Sequence, residues 1–270
     1  GLSVIYLPGG VTLMNRSLGV SLDAARNAEY HYQPLSPGRI WRYSFAGVAQ
    51  RVRPEELRKR PMVDEAFEQA SYELMFEAVQ PVFNMHNSDR SSERMHLEHG
   101  GRMRGVVTAL GKRFEIDCMA YRDHSVSRRT FTTLDSETWA NCVFPSGRVF
   151  SILEVRRGDK LLQEGQIFRD GVMKIARPLS IPDLHDLAAN PGRGQISIEC
   201  DAQRHDIRWE LVDAGHAPFQ LMRPVGMRPG VDHADPTNVI VLECPARYEW
   251  DGEVGYGWLE RSRPLHTLRG

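Results

Sequence analysis

The chain has 270 residues, 41% of them hydrophobic and 26% charged, so it is long enough for one large domain or two smaller ones with real cores. Its 34 Lys and Arg residues balance 35 Asp and Glu residues, which argues against a nucleic-acid partner. No apolar run approaches the roughly 20 residues that a membrane-spanning helix needs. The composition therefore predicts a soluble globular protein without a membrane span.

Four cysteines lie far apart in the chain, and none forms a C-x-x-C pair, which disfavours a thiolate zinc site or a redox motif. We expect ordinary thiols in a reducing compartment, and hence a cytoplasmic protein. The chain opens with residues 1–7, which have the pattern of a strand already under way. We therefore expect further sequence upstream in the natural protein.

Hydrophobic and polar residues alternate with a period of two along most of the chain, and this alternation predicts strands. Residues 71–83 place Tyr72, Leu74 and Phe76 on one face. The Ala, Glu and Met content of residues 62–79 also allows a helix, but Pro81 and the alternation favour a strand. Residues 105–110 and 112–119 flank Gly111 and predict a hairpin.

Further turns are predicted at Pro145-Ser146-Gly147 and at Gln203-Arg204, and turn signals recur about every 10 to 14 residues. Short helices are expected at residues 54–60 and 182–189. Residues 177–193 contain several Pro and Gly breaks and are a candidate connection between two halves. This pattern favours an all-β sandwich or barrel.

The densest group of reactive side chains is residues 121–129, YRDHSVSRR. An Asp beside a His can hold the tautomer of the imidazole, or can itself act as an acid where burial raises its pKa. The alternative is a solvated loop in which Asp123 pairs with a nearby arginine.

Two other segments are candidates for a site. The first contains His96, Glu98 and His99, with His86 upstream. Two of these imidazoles could lie near a metal ion, but a third ligand is lacking, and we expect no metal. Residues 255–261, GYGWLER, alternate glycine with aromatic residues, as in a strand that lines a cavity or packs in a core. No phosphate loop and no G-x-S-x-G element are present.

Three segments together resemble one protein family: residues 98–105 (EHGGRMRG), 121–125 (YRDHS) and 255–260 (GYGWLE). They are similar to the lipocalin-like hydroxyneurosporene synthase (carotenoid 1,2-hydratase) and AttH-related superfamily. The resemblance implies two consecutive lipocalin-like β-barrel or sandwich halves, 1–135 and 136–270, with an alternative boundary near 177–193. The sequence departs from the family pattern at Val126 and Ser127, where a Trp and then a Gly or another small residue are usual. This departure bears on the identity of the substrate more than on the fold.

The resemblance also implies a function. Members bind or act on apolar molecules such as terpenoids, carotenoids and polyketides. The known reactions are hydration and cyclisation, and neither uses a redox cofactor. We therefore expect a cofactor-independent, metal-free lyase or isomerase that protonates a π-system by acid–base catalysis. The predicted site residues fall into two groups. The catalytic group is Asp123, His124 and Glu260, and the substrate-binding group is Tyr121, Tyr256, Trp258, Arg122 and His99.

A second class of function stays open, a non-catalytic lipocalin-like carrier of an apolar ligand. If Arg122, Arg128 or Arg129 pairs with Asp123, the arginine lowers the pKa of the carboxyl group and the motif becomes structural. In that version the motif holds the two halves together, and His124 alone faces the ligand.

Overall fold

The computed structural model describes residues 2–16, 26–27, 30–63, 66–85, 95–126, 133–187, 192–212, 217–222 and 226–269. Within these ranges two antiparallel sheets each curl into a barrel-like half. The predicted fold class, an all-β protein of two lipocalin-like halves with few short helices, is confirmed. The chain passes from one sheet to the other between Val126 and Ser136. The domain boundaries proposed from the sequence stay a prediction.

The first half is one sheet, to which the described residues contribute nine strands in the spatial order β1-β2-β5-β6-β8-β7, with β4 also beside β5, β3 beside β4 and β9 beside β8. A short helix, α1 (Pro54–Leu57), follows β5. The strands are β1 (Leu2–Leu7), β2 (Val11–Arg16), β3 (Arg26–Asn27), β4 (Tyr30–Ser36), β5 (Ile40–Val52), β6 (Phe67–Ala78), β7 (Phe83–Asn84), β8 (Met95–Ala109) and β9 (Lys112–Val126).

The second half has eleven strands among the residues that the structure describes, in the order β13-β12-β11-β10-β20-β19-β16-β15-β14, with β17 between β18 and β19. Strand β12 lies against β14, which curls this sheet towards closure. The strands are β10 (Ser136–Val143), β11 (Val149–Arg157), β12 (Lys160–Arg169), β13 (Val172–Ile175), β14 (Arg177–Ser180), β15 (Arg193–Cys200), β16 (Gln203–Leu211), β17 (Ala217–Met222), β18 (Gly226–Pro229), β19 (Val239–Trp250) and β20 (Glu253–Pro264). A 3-10 helix, Leu265–Thr267, follows.

The two faces of the second sheet differ in polarity. Ile152, Ala140, Leu259 and Cys244 form one row across four adjacent strands, and all are fully buried in the largest apolar cluster of this half. Because side chains alternate between the faces of a strand, the neighbouring row points the opposite way. That row is Leu153, Trp139, Glu260 and Glu243. The apolar side chains therefore fill the barrel, and the polar row faces the first half.

The two halves touch where β8 and β9 lie against β10 and β20. Gly100 on β8 makes this approach possible, since a Cβ at that position would lie 2.8 Å from a methyl of Val143 and 2.9 Å from a methyl of Val149. The face of β8 that carries Gly100 and Glu98 is therefore the face that packs on the second half.

The structure confirms most predicted strands and corrects several local predictions. The turn predicted at Gln203-Arg204 lies two residues earlier, at Asp201-Ala202, because both predicted turn residues pair with β15. The hairpin around Gly111, the turn at residues 145–147 and the strand from Ser71 are present. The second short helix was wrong: residues 182–187 are not helical, and residues 188–191 lie outside the described ranges. The predicted connection at 177–193 contains β14, which pairs with β15 inside the second sheet.

Candidate functional site

A cavity of about 560 Å³ lies between the two halves. The first half contributes residues of β1 and β9 to its wall, and the second half contributes residues of β10, β17, β19 and β20. Five of the eight predicted site residues line it: Tyr121, Asp123, Tyr256, Trp258 and Glu260. Tyr6 packs against the Trp258 ring with the ring centroids 5.9 Å apart. The structure thus brings two of the three segments that carry the resemblance, 121–125 and 255–260, to a single place.

Strand alternation decides which residues of the 121–125 motif reach this cavity. The motif is the end of β9 up to Val126, not a loop, and residues 127–132, which include Arg128 and Arg129, lie outside the described ranges. Tyr121 and Asp123 share the face that packs on the second half. Arg122 and His124 point to the opposite face, so Asp123 and His124, although adjacent in the chain, do not share one side of the sheet.

His96, rather than His124, is the imidazole that contacts Asp123. His96 lies on β8 across from Ser125, and its Nε2 is 3.0 Å from Asp123 Oδ2 and 3.1 Å from Glu98 Oε1. Burial alone lowers the pKa of His96, but hydrogen bonds and charges from Asp123 and Glu98 outweigh it and raise the pKa to about 9. His96 is therefore an imidazolium at neutral pH, paired with two carboxylates.

Glu98 joins the two halves at the back of the cavity. Its side chain has no exposed surface. Oε1 accepts a hydrogen bond of 2.7 Å from the Trp139 indole, and Oε2 accepts bonds of 2.7 Å from Tyr121 and 2.6 Å from Ser151. With His96, four donors match the four acceptor positions of an ionised carboxylate. Trp139 and Ser151 belong to the second half, so this one carboxylate links both sheets.

Three groups of this cluster could hold a metal ion. His96 Nε2 and one carboxylate oxygen from each of Glu98 and Asp123 lie within 4.8 Å of one another. His99, the second imidazole considered from the sequence, is on the other face of β8. The oxygens of Glu98 already accept hydrogen bonds from four donors. An ion-pair network therefore explains the cluster: the Nε2–H of His96 lies between the carboxyl groups of Glu98 and Asp123.

Glu243 and Glu260 form a second pair of carboxyl groups, in the cavity wall. They are directly opposite each other on β19 and β20, and their side chains are hydrogen-bonded to each other. The Trp258 indole donates to Glu243 Oε2. Burial raises the pKa of Glu243, and the nearby carboxyl groups of Glu137 and Asp123 raise it further, against the lowering effect of its hydrogen bonds. Burial therefore favours the protonated form of Glu243 in the cavity wall.

The glycines of residues 255–257 serve strand packing rather than a ligand. A Cβ on Gly257 would collide with the backbone oxygen of Asn141 on β10, and a Cβ on Gly255 would lie 2.6 Å from Cys142 Sγ. The glycine–aromatic alternation therefore lets β20 approach β10 closely while Tyr256 and Trp258 extend into the cavity wall.

The three remaining predicted residues lie away from the cavity. The Arg122 guanidinium stacks 4.3 Å over the Trp41 ring and donates to the Tyr43 hydroxyl at 3.1 Å. His99 is fully buried between Trp41 and Phe76, and its ring nitrogens have no hydrogen-bond partner among the described residues. Burial, and then the charge of Arg122, lower the pKa of His99 to about 4. These side chains belong to the first half, and His124 is exposed.

Sequence reasoning missed Trp139, Ser151 and Glu243, and named Glu98 and His96 only as metal candidates. Glu243 had a usable signal, since it is an acid within the strand VIVLECPARYEW whose neighbours are mostly apolar. Trp139 and Ser151 have no local signal, because their roles depend on how the two halves pack.

The comparisons with known proteins place this chain in a family. The model of the domain of unknown function DUF7064 matches residues 2–265. The chain belongs to the DUF7064 family. No curated protein matches the sequence. A crystal structure of a "putative AttH" from Nitrosomonas europaea is similar in fold, with a TM-score of 0.50 at 8% identity over 96% of this chain and 86% of that chain.

This similarity supports an AttH-like fold for this DUF7064 member, as the resemblance in the sequence implied. It carries no activity across at such a low identity. Among the described residues, no helix is long and apolar enough to cross a membrane.

Proposed function

We propose that this DUF7064 protein is a cofactor-independent lyase or isomerase that performs acid–base chemistry on an apolar small molecule, such as a terpenoid or a polyketide of secondary metabolism. The observation that carries the proposal is the cavity of about 560 Å³ whose wall combines carboxyl groups and aromatic rings from both halves. Its volume is typical of small-molecule sites, which commonly enclose about 300–1,000 Å³.

The proton comes from the Glu243–Glu260 pair. The pair holds a proton in the cavity wall, and a ligand that fills the cavity removes water from it and keeps it protonated. Protonation breaks an O–H bond of the pair and forms a C–H bond on the π-system of the substrate, which becomes a carbocation. Glu260 thereby keeps the acid–base role expected from the sequence, and Glu243 joins it.

Asp123 takes the complementary role. Its Oδ2 lies 3.0 Å from His96 Nε2 on the first-half wall of the cavity, and we assign it the role of proton acceptor. In an isomerisation or cyclisation Asp123 receives the proton lost from a carbon next to the cation. In a hydration it receives the proton of the water that adds. Its side chain is 35% exposed, so the proton leaves to solvent and the glutamate pair is reprotonated from there.

The aromatic residues stabilise the positive charge between these two events. Tyr121, Tyr256 and Trp258 line the cavity, and an aromatic face near a cation contributes roughly 0.5–2 kcal/mol. Tyr121 is fixed by its bond to Glu98 and receives a hydrogen bond of 3.2 Å from Gln166.

A carrier of an apolar ligand is the second candidate. The observation in its favour is the hydrogen-bond network around Glu98. Within the first half, Glu98 contacts Tyr121 and His96, and His96 contacts Asp123. Glu98 also accepts hydrogen bonds from Trp139 and Ser151 of the second half, a structural role that requires no turnover.

Untargeted mass spectrometry of a lipophilic extract of the source organism, incubated with purified protein, separates the two. Wild type is expected to convert a compound into an isomer or into a product one water away, and Asp123→Asn and Glu260→Gln are expected not to. His124→Asn, next to Asp123 but on the opposite face, is the matched control and should retain turnover. Enrichment of the same unaltered compound by all four proteins would support the carrier and contradict the enzyme.

A further inference from the structure

A buried amide in the wall of the cavity has no partner. Asn141 on β10 has no exposed surface and is one of the lining residues. Neither its Oδ1 nor its Nδ2 has a hydrogen-bond partner among the residues that the structure describes. Buried side-chain amides are nearly always hydrogen-bonded, so an amide that lacks both bonds beside a cavity needs an explanation.

The register shows which way this amide points. Asn141 is directly opposite Ser151 on β11 and Trp258 on β20. Side chains opposite each other share a face, so Asn141 lies on the same side of the sheet as Trp258, towards the first half. The Ser151 hydroxyl is committed to Glu98, and the Trp258 indole is committed to Glu243. Asn141 is thus left between two polar neighbours whose donors are already used.

We propose that the ligand of this cavity is an apolar molecule that carries a neutral oxygen, a carbonyl or a hydroxyl, and that Asn141 hydrogen-bonds this oxygen. The inference rests on the proposed function for the location of the site and adds the class of its ligand. Both amide atoms are covered in the structure, so the ligand oxygen reaches them by displacing a side chain of the wall.

The charges around the cavity restrict the oxygen to a neutral group. Asp123, Glu243 and Glu260 line the cavity, and Glu137 is close enough to raise the pKa of Glu243. A carboxylate or phosphate on the ligand would be repelled by these groups. A pure hydrocarbon would leave the Asn141 amide unpaired, and a site built to hydrogen-bond a substrate oxygen discriminates against the analogue that lacks it.

The test compares two neutral probes on the whole chain. One is geranylacetone, an unsaturated ketone, and the other is the hydrocarbon in which a methylene replaces its carbonyl. Affinities are measured by displacement of Nile red. Wild type is expected to bind the ketone about tenfold more tightly, which is the value of one recovered hydrogen bond. Asn141→Leu is expected to bind both probes equally, with its affinity for the hydrocarbon undiminished.

Gln80→Leu is the matched control. Gln80 is also a buried amide with both polar atoms unpartnered among the described residues, but it does not line this cavity. It is expected to keep the tenfold preference, and thermal melting of both variants reports any loss of folding. A preference for the ketone that survives in Asn141→Leu would overturn the proposal, as would wild type that binds neither probe or does not discriminate between them. An Asn141-dependent preference without turnover of any extract compound would sink the enzymatic proposal alone.

Discussion

Asp123 and His96, which are 27 positions apart in the chain, meet at 3.0 Å across the β8–β9 ladder, whereas Asp123 and its sequence neighbour His124 point to opposite faces of β9. The Asp–His contact of this site is therefore made between strands. It leaves Asp123 and Tyr121 facing the second half, and it places His96 as the cation between Asp123 and Glu98.

Glu98→Gln should destabilise the protein by about 3 kcal/mol, since it removes a buried carboxylate and leaves donors of both halves without an acceptor. Urea unfolding at neutral pH measures the change. Glu115→Gln, which removes an exposed carboxylate on the neighbouring strand, should change the free energy of unfolding by less than about 1 kcal/mol. Equal effects of the two substitutions would show that Glu98 does not link the halves.

The stability contributed by His96 depends on pH in the alkaline range. Its pKa is 6.5 in the unfolded chain and about 9 in the folded one, so the folded state binds the proton more tightly. The contribution, up to about 3 kcal/mol, is fully present below about pH 6.5 and is lost as the pH rises through about 9. Asp123 and Glu98 are the groups that raise the pKa of His96. Burial raises the pKa of the neighbouring Glu164 to about 7, and the charge of His96 acts against this rise.

Urea unfolding across this pH range in wild type and His96→Gln is the corresponding measurement. The variant should lack the alkaline loss that wild type shows. Parallel pH profiles of the two proteins would contradict the assignment of His96 as an imidazolium.

His99 makes the free energy of unfolding depend on pH in the acid range, and with the opposite sign. Burial and the charge of Arg122 lower its pKa from 6.5 to about 4, so the unfolded chain binds the proton more readily. Its contribution is present above about pH 6.5 and falls as the pH drops towards about 4. His99→Leu should reduce this acid sensitivity and, because His99 is outside the cavity, leave Nile red binding unchanged. A loss of dye binding would mean that His99 contacts the ligand, as the sequence analysis expected.

The shared proton of Glu243 and Glu260 is open to direct observation. Infrared spectra at neutral pH should contain the C=O stretch of a protonated carboxyl group of this pair, because burial raises the pKa of Glu243. Glu243→Gln and Glu260→Gln should each lose this band, whereas Asp123→Asn should keep it. A band that persists in Glu260→Gln would assign the proton to Glu243 alone.

Local patterns in the sequence were enough for most strands and turns but not for the site. The alternation from Ser71 and the turn at Gly111 depend on neighbouring residues, and both are confirmed. Extending β9 through Val126 would already have separated Asp123 from His124 and placed Asp123 beside Glu98, because the faces of a strand alternate.

Other features depend on long-range packing. The indole of Trp139 reaches Glu98 only because β8 approaches the second sheet closely, and Gly100 permits that approach. The failed helix at residues 182–187 had a proline start and a serine before it, but those residues extend alongside the second sheet, where Leu184 is buried in its core.

A reaction in deuterium oxide shows whether the protein transfers a proton to a carbon atom of its ligand. The converted compound from the extract is isolated after incubation with wild type, and its mass and the position of the label are determined. We expect one deuterium on a carbon that does not exchange with solvent, delivered by the Glu243–Glu260 pair, and no labelled product with Glu260→Gln. A product formed by wild type without deuterium on carbon would contradict it.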